Sequence, residues 1–269
     1  MVNDSIDRSP LRSPERNYYD RPEIWVRHQH GPSQLERARQ TVEMLPGGIE
    51  SVLDVGCGSG PVTNELAKRF PLVVGLDIAR RLLEYIHSHK VQAAAEGLPF
   101  RTASFDAVVA TELIEHIPVK WQRRVIREME RVCRRYLLIS VPFREILEIR
   151  YAKCDACGYI FHADRHESSF DRASVEELLG PAFHLVNMQK LGRPDKRIPR
   201  LFITFAHAFG GFTKVEPGDT ICPECGNGEY FVRKKNLLTR LFWGIPLRLL
   251  PLPKSPRWMV TLFRKTTEQ

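Results

Sequence analysis

The chain has 269 residues, 43% of them hydrophobic and 27% charged, enough to bury one full α/β core with a modest extra module but not two large independent domains. Its 40 Lys and Arg against 32 Asp and Glu leave a formal charge of +8. That excess favours an acidic acceptor, a nucleic acid or an anionic membrane surface without choosing among them, and it serves solubility alone equally well.

Residues 1–30 read as a flexible N-terminal arm. The first twenty positions are polar and interrupted by Pro10 and Pro14. They lack the basic start and apolar stretch of a signal peptide, so a cytoplasmic protein is expected. Two apolar runs need testing as membrane spans. Leu201 to Phe212 is too short, and Leu237 to Leu252 is broken by Arg240, Pro246, Arg248 and Pro251, so neither should cross a bilayer. The second run is amphipathic and basic, suited to peripheral membrane contact or to a lid helix packed on the core.

After the arm, Ser33 to Leu45 carries Leu35, Ala38, Val42 and Leu45 at helical spacing, with Ser33 as a cap and Pro46-Gly47-Gly48 as a stop. Ser51 to Val55 reads as a buried strand, Pro61 to Phe70 as a helix with Pro in its first turn, and Leu72 to Leu76 as a second buried strand ending at Asp77. A helix near Ala79 to His87, a weak strand near Val91 to Ala93 and a strong strand from Phe105 to Ala110 follow. Then come a charged helix over Lys120 to Arg134 and a buried strand from Tyr136 to Val141. The rhythm breaks at Pro142, resumes with a helix near Ala173 to Leu179 and a strand near His184 to Leu191, and breaks again until Trp258 to Phe263. Alternating strands and helices predict a mostly parallel, doubly wound α/β sheet. The core is expected in residues 31–143, 166–191 and 257–265, with insertions at 144–165 and 192–256.

Glycines at 56, 58 and 60 lie between an apolar strand and a helix, where they let the backbone turn tightly and approach a ligand at the helix N-terminus. A dinucleotide fingerprint would need another glycine three positions after Gly58, and Pro61 stands there. Asp54, at the strand end, suits a ligand ammonium. Asp77, seventeen positions after Gly60, can accept hydrogen bonds from both hydroxyls of a ribose, or can cap a helix.

In this order the glycine run, Val74-Gly75-Leu76-Asp77, Leu98-Pro99-Phe100, Ser104-Phe105-Asp106 and Thr111-Glu112-Leu113-Ile114-Glu115-His116-Ile117-Pro118 resemble the class I, Rossmann-like S-adenosylmethionine-dependent methyltransferases. The resemblance covers about Leu35 to Leu191 plus the last strand, and it implies a seven-stranded sheet with S-adenosylmethionine as co-substrate. The implied co-substrate site comprises Asp54, Gly56, Gly58, Gly60 and Asp77. The family usually places an Asp four positions before the Leu of Leu-Pro-Phe to contact the adenine amine. Here that position is Ala94, so the contact passes to Glu96 or to backbone groups.

A sulfonium donor already carries a good electrophile, so such an enzyme chiefly aligns the acceptor, and a hydroxyl acceptor also benefits from losing its proton. Glu112, Glu115 and His116 stand at i, i+3 and i+4, one face of a helix, just past a strand end where open sheets bind ligands. The run resembles the divalent-metal motif of small-RNA 2′-O-methyltransferases and quinone-pathway O-methyltransferases. In the small-RNA family a later histidine completes the site; within His162 to Phe170 the corresponding residue is His166, and His162 has the weaker claim. These residues could hold a divalent cation that acidifies an acceptor hydroxyl. Alternatively, His116 or His166 acts as a metal-free base, or Glu115 and His116 simply end a short helix.

Cys154-Asp155-Ala156-Cys157-Gly158 and Cys222-Pro223-Glu224-Cys225-Gly226 are two knuckles of one form. Four thiolates so arranged suit a structural, tetrahedral zinc joining the two insertions into a ribbon-like module. Structural disulfides are disfavoured in a reducing compartment, and Cys57 and Cys133 read as packing residues. Because both insertions leave the sheet near its final strands, the module is expected on the acceptor side. The leading expectation is O-methylation of a small-molecule, sugar or lipid-linked glycan acceptor. RNA is the second, and a non-enzymatic zinc-ribbon binding protein the third.

Overall fold

The computed structural model describes residues 18–209, 211–213, 215–216, 218–229, 231 and 251–266. Most of Leu237 to Leu252 therefore lies outside the described residues. Among the described residues no helix is long and apolar enough to cross a membrane.

The first elements are α1 (Pro22–Gln29) and α2 (Pro32–Glu43), each with proline in its first turn, where the missing N–H costs nothing. A sheet of seven strands follows: β1 (Ser51–Val55), β2 (Leu72–Asp77), β3 (His89–Gln92), β4 (Phe105–Thr111), β5 (Cys133–Pro142), β8 (Phe183–Leu191) and β11 (Trp258–Lys265). Their spatial order is β3-β2-β1-β4-β5-β11-β8. The pairs from β3 to β5 are parallel, whereas β11 runs antiparallel to both neighbours. The sheet is thus doubly wound and mostly parallel, as the alternation of elements predicts.

Every residue of β1 is buried, as a strand covered on both faces requires. Its side chains alternate between two cores. Leu53 and Val55 join Val125, Ile126 and Met129 of α4 (Val119–Val132) and Val175 and Leu179 of α5 (Arg172–Leu179). Val52 instead joins Ala38 and Val42 of α2 and Val62 and Leu66 of α3 (Pro61–Leu66). A period-two strand between two helical layers yields this three-layer division. Asp106 fixes the start of β1 by accepting hydrogen bonds from the Glu50 and Ser51 amides and the Ser51 hydroxyl.

Two expectations are corrected. Residues 18–30 are not an arm: Tyr18 and Ile24 are buried, and Gln29 and His30 both bond Ser59 of the glycine run. The helix expected over Ala79 to His87 is a single 3-10 turn at Leu82–Tyr85. Asn64 ends it by donating to the Tyr85 carbonyl and accepting from the His87 amide.

Beyond β5 the chain leaves the sheet. A hairpin of β6 (Tyr151–Lys153) and β7 (Ile160–His162) has the first cysteine knuckle as its turn. After β8, the two-residue strand β9 (Asp195–Lys196) leads to α6 (Arg200–Ala208) and later pairs with β10 (Lys254–Ser255).

Candidate active site and thiolate centre

The sheet order changes direction between β1 and β4, and open α/β sheets bind ligands at the C-terminal strand ends beside such a switch. An open cleft of about 760 Å³ lies there. Gly56, Gly58 and Asp77 form one wall, Ala93 to Glu96 a second, and Glu112, Leu113 and His116 a third, while Tyr19, Trp25 and Gln29 reach in from the N-terminal segment.

The glycine run needs its glycines. Gly56, Gly58 and Gly60 all have positive φ, and a Cβ on Gly60 would stand 2.3 Å from Ile86 Cδ1. Asp77 ties the run to the end of β2: its Oδ2 accepts from the Gly58 amide at 2.8 Å and its Oδ1 from the Ala79 amide at 2.8 Å. Burial pushes the Asp77 carboxyl above its ordinary range despite those bonds. Glu96 lines the cleft and is 6% exposed. The loop bearing it is pegged by α4, where Glu128 accepts from the Leu98 amide and Arg131 donates to the Leu98 and Phe100 carbonyls.

Asp54 and Gly60 are not among the cleft-lining residues. Asp54 is wholly buried under the run, accepting from Thr63 Oγ1 at 2.6 Å, and burial pushes its carboxyl up to about 7. Its other oxygen, Oδ1, is buried without a hydrogen-bond partner among the described residues.

Nor do Glu112, Glu115 and His116 share a helical face. Glu112 has φ of 52°, in the left-handed region, and only Ile114–His116 forms a 3-10 turn. The Glu112 carboxylate pairs with Arg37 at 3.0 Å and accepts from Trp258 Nε1 at 2.7 Å. What converges instead is Glu115, His116 and His166, with ligand atoms within 4.8 Å of one another. Glu115 is 0% exposed, and among the described residues neither of its oxygens has a hydrogen-bond partner. Burial, with Glu112 nearby, pushes this carboxyl well above its ordinary range. His116 lines the cleft, and burial plus the facing His166 ring pushes its imidazole down to about 3, so it is uncharged at neutral pH.

Sequence reasoning missed Glu145. Its Oε2 lies 2.5 Å from His166 Nδ1 and its Oε1 lies 3.6 Å from His162 Nε2. Burial works against the Glu145 carboxylate, but the two histidines beside it hold it far below the ordinary range. Burial is the largest influence on His166 and lowers it, but its bond to Glu145 together with the charges of Glu145, Asp164 and Glu112 raises the imidazole overall. These three side chains also cluster closely enough to suggest a second metal trio. His162 Nδ1, however, accepts the His166 amide at 3.1 Å. That nitrogen is thereby engaged by the backbone, and the other, Nε2, faces Glu145 Oε1 at 3.6 Å.

The four cysteines come together from both excursions. Cys154 and Cys225 Sγ are 3.7 Å apart, Cys157 and Cys222 Sγ 3.6 Å, and all four lie within 4.8 Å. Each knuckle closes alike: the amides of Gly158 and Gly226 donate to the carbonyls of Cys154 and Cys222 at 3.0 Å, with φ of 77° and 73°.

The sheet order with its reversed final strand, the glycine run and the acid ending β2 define the class I, Rossmann-like S-adenosylmethionine-dependent methyltransferase architecture. Residues 53–137 match the methyltransferase domain family. A ubiquinone biosynthesis O-methyltransferase from Leptothrix cholodnii is 33% identical over 102 residues, 34% of this chain and 43% of that enzyme. The biotin biosynthesis bifunctional protein BioHC from Cellvibrio japonicus is 34% identical over 110 residues, 37% of this chain and 21% of that protein. The match thus spans less than half of each curated relative. In structure the chain resembles magnesium protoporphyrin IX methyltransferase from Synechocystis PCC 6803 with bound S-adenosylhomocysteine (TM-score 0.52, 16% identity, 66% of this chain and 92% of that one). It also resembles an S-adenosylmethionine-dependent methyltransferase from Archaeoglobus fulgidus (TM-score 0.52, 16% identity, 86% and 92%). At these identities the structural likeness concerns the fold.

Proposed function

We propose that the protein is an S-adenosylmethionine-dependent O-methyltransferase acting on a hydroxyl of a small-molecule acceptor, with sugars and lipid-linked glycans in that class. The observation that carries this reading is the cleft walled by Gly56, Gly58 and Asp77 on one side and His116 on another. The first wall suits the nucleoside, with Asp77 toward the ribose and Glu96 or the neighbouring backbone toward the base. The second carries the His116 imidazole, uncharged at neutral pH and so able to offer a lone pair, next to the proposed acceptor position. The bound donor supplies the electrophilic methyl group; the chain supplies alignment and exclusion of water. The O-methyltransferase name of the relatives supports a hydroxyl acceptor.

Glu115, His116 and His166 fit a divalent cation. The support is Glu115, whose two buried oxygens have no partner among the described residues, a state costing several kcal/mol for an ionised group and relieved by a bound ion. Glu145 would then play the carboxylate behind a histidine ligand that orients the ring. When bound, the cation would lower the pKa of an acceptor hydroxyl. A cation-free base is the second reading; His166, whose imidazole is raised, suits that role better than His116, whose ring at about 3 is a weak proton acceptor.

The cysteine cluster fits zinc. With Zn–S bonds of about 2.3 Å, a tetrahedron has S···S edges of about 3.8 Å, close to the 3.7 and 3.6 Å of the two pairs. Four thiolates close the shell, so the role is structural.

The test is transfer of label from S-adenosylmethionine to a panel of phenols, polyprenyl phenols, glycosides and short RNAs, with and without Mn²⁺. Label on a hydroxyl of a small acceptor is expected. Label only on RNA ribose would replace the acceptor class, and failure to bind S-adenosylhomocysteine by calorimetry would remove the enzyme reading.

A further inference from the structure

The two knuckles do more than face each other. The first is the turn of the β6–β7 hairpin, whose outgoing strand ends on His162. Four residues later comes His166, and between them the chain makes a tight turn closed by the Arg165 amide on the His162 carbonyl at 3.0 Å. Arg165 holds φ of 63°, a left-handed conformation that a side chain with a Cβ adopts only at a cost. That conformation persists only where the surroundings over-determine it.

The surroundings here come from the second knuckle. Arg165 Nη2 donates to the carbonyl of Ile221, the residue before Cys222. Thr220 Oγ1 donates to the Ala163 carbonyl at 3.0 Å. The Arg165 guanidinium is sandwiched by Tyr18 at 4.7 Å and Phe161 at 5.2 Å. Arg150 adds a two-bond grip on the Asp164 carboxylate at 2.7 Å each. The consequence of the turn is that the His166 amide reaches His162 Nδ1, and the His166 ring meets His116 edge-on at 4.7 Å between centroids.

We propose that Arg165 is a positioning residue: through the Ile221 carbonyl, the second cysteine knuckle grips its guanidinium and so holds the 162–166 turn that presents His166 to His116 and Glu115. The thiolate centre is thereby a part of the acceptor-side machinery at a distance. This deepens the proposed function and rests on it for the consequence at the cation, while the mechanical part stands on the turn itself.

The experiment uses the full chain with its native metal content and two variants, Arg165→Gln and Arg165→Lys, the second keeping a cation able to reach Ile221. Hydrogen exchange read by mass spectrometry reports the turn, Mn²⁺ binding read by electron paramagnetic resonance reports the histidine site, and calorimetry with S-adenosylhomocysteine reports the glycine wall. In Arg165→Gln, amides 162–167 are expected to exchange at least tenfold faster and Mn²⁺ to bind at least tenfold more weakly. Exchange over residues 53–66 and S-adenosylhomocysteine affinity should stay within twofold, and Arg165→Lys should restore most of both losses. Unchanged exchange at 162–167, acceleration shared by residues 53–66, or unaltered Mn²⁺ affinity in Arg165→Gln overturns the proposal. Should the unmodified chain bind no Mn²⁺, the cation reading falls alone, and the exchange pattern with its lysine rescue still decides the strap.

Discussion

Trp258 Nε1 donates to Glu112 Oε2 at 2.7 Å, fastening the first residue of β11 to the loop after β4. Arg37 completes the group, its Nη1 3.0 Å from Glu112 Oε1 and its guanidinium 4.8 Å from the Trp258 ring centroid. Glu112 is therefore occupied as a brace between α2, β4 and β11. Glu112→Ala is expected to lower stability by about 1–3 kcal/mol in denaturant melts, the cost of leaving partly buried donors unpaired. Its Mn²⁺ affinity should change by only a few-fold. Glu115→Gln should behave oppositely, with apo stability held or raised and Mn²⁺ affinity lost by about a hundredfold or more. Equal losses in both would return Glu112 to the ligand set.

Asp77 accepts from two backbone amides, those of Gly58 and Ala79, and is the proposed ribose acceptor. Asp77→Ala removes the acceptor for the ribose and frees the Gly58 amide together. S-adenosylhomocysteine affinity should fall by about 10–100-fold, equivalent to roughly 1.4–2.8 kcal/mol, as measured by calorimetry. A change under threefold would place the ribose elsewhere.

Asp54 gives a pH signature. Its carboxyl stands at about 7 in the folded chain against about 3.9 unfolded, so between those values the unfolded chain has released a proton that the folded chain retains. Stability from this group is complete below about pH 4 and is lost as pH rises to 7, a span of about 4 kcal/mol as an upper bound. Asp54→Asn should flatten that part of the stability curve, raising stability relative to the parent chain at pH 8 more than at pH 5. Parallel urea midpoints for both proteins across this range would count against a buried, neutral Asp54.

Metal analysis by plasma mass spectrometry should find one zinc per chain. Stripping it with a strong chelator should lower the thermal midpoint, since the excursions lose their common anchor. S-adenosylhomocysteine affinity should survive, because the thiolates belong to neither the glycine run nor Asp77. Full zinc occupancy in Cys222→Ser would argue against the four-thiolate centre.

The fold was legible because buried parallel strands advertise themselves as short apolar runs, and Gly56 to Gly60 followed by Asp77 constrain one another at a distance set by a single crossover. The paired cysteines were legible for a similar reason, each knuckle being a local shape. Other features depend on contacts the linear spacing does not encode. Tyr18 and Trp25 sit among charged residues with no clear period, and they gain their order from Ala163 and from each other. Glu112 keeps a helical distance from Glu115, but its left-handed backbone turns it toward Trp258. Glu145 is one acid in a charged stretch, and only the fold lays it beside a histidine twenty-one positions on.

The antiparallel β11 slots between β5 and β8, two strands that precede it by many residues. A ribosome must therefore release nearly all of the described chain before the sheet can close, and until then β5 and β8 expose unpaired edges to one another and to other nascent chains. Loss of Trp258–Lys265 would remove an interior plank of the sheet rather than trim a border, leaving β5 and β8 without the strand that joins them.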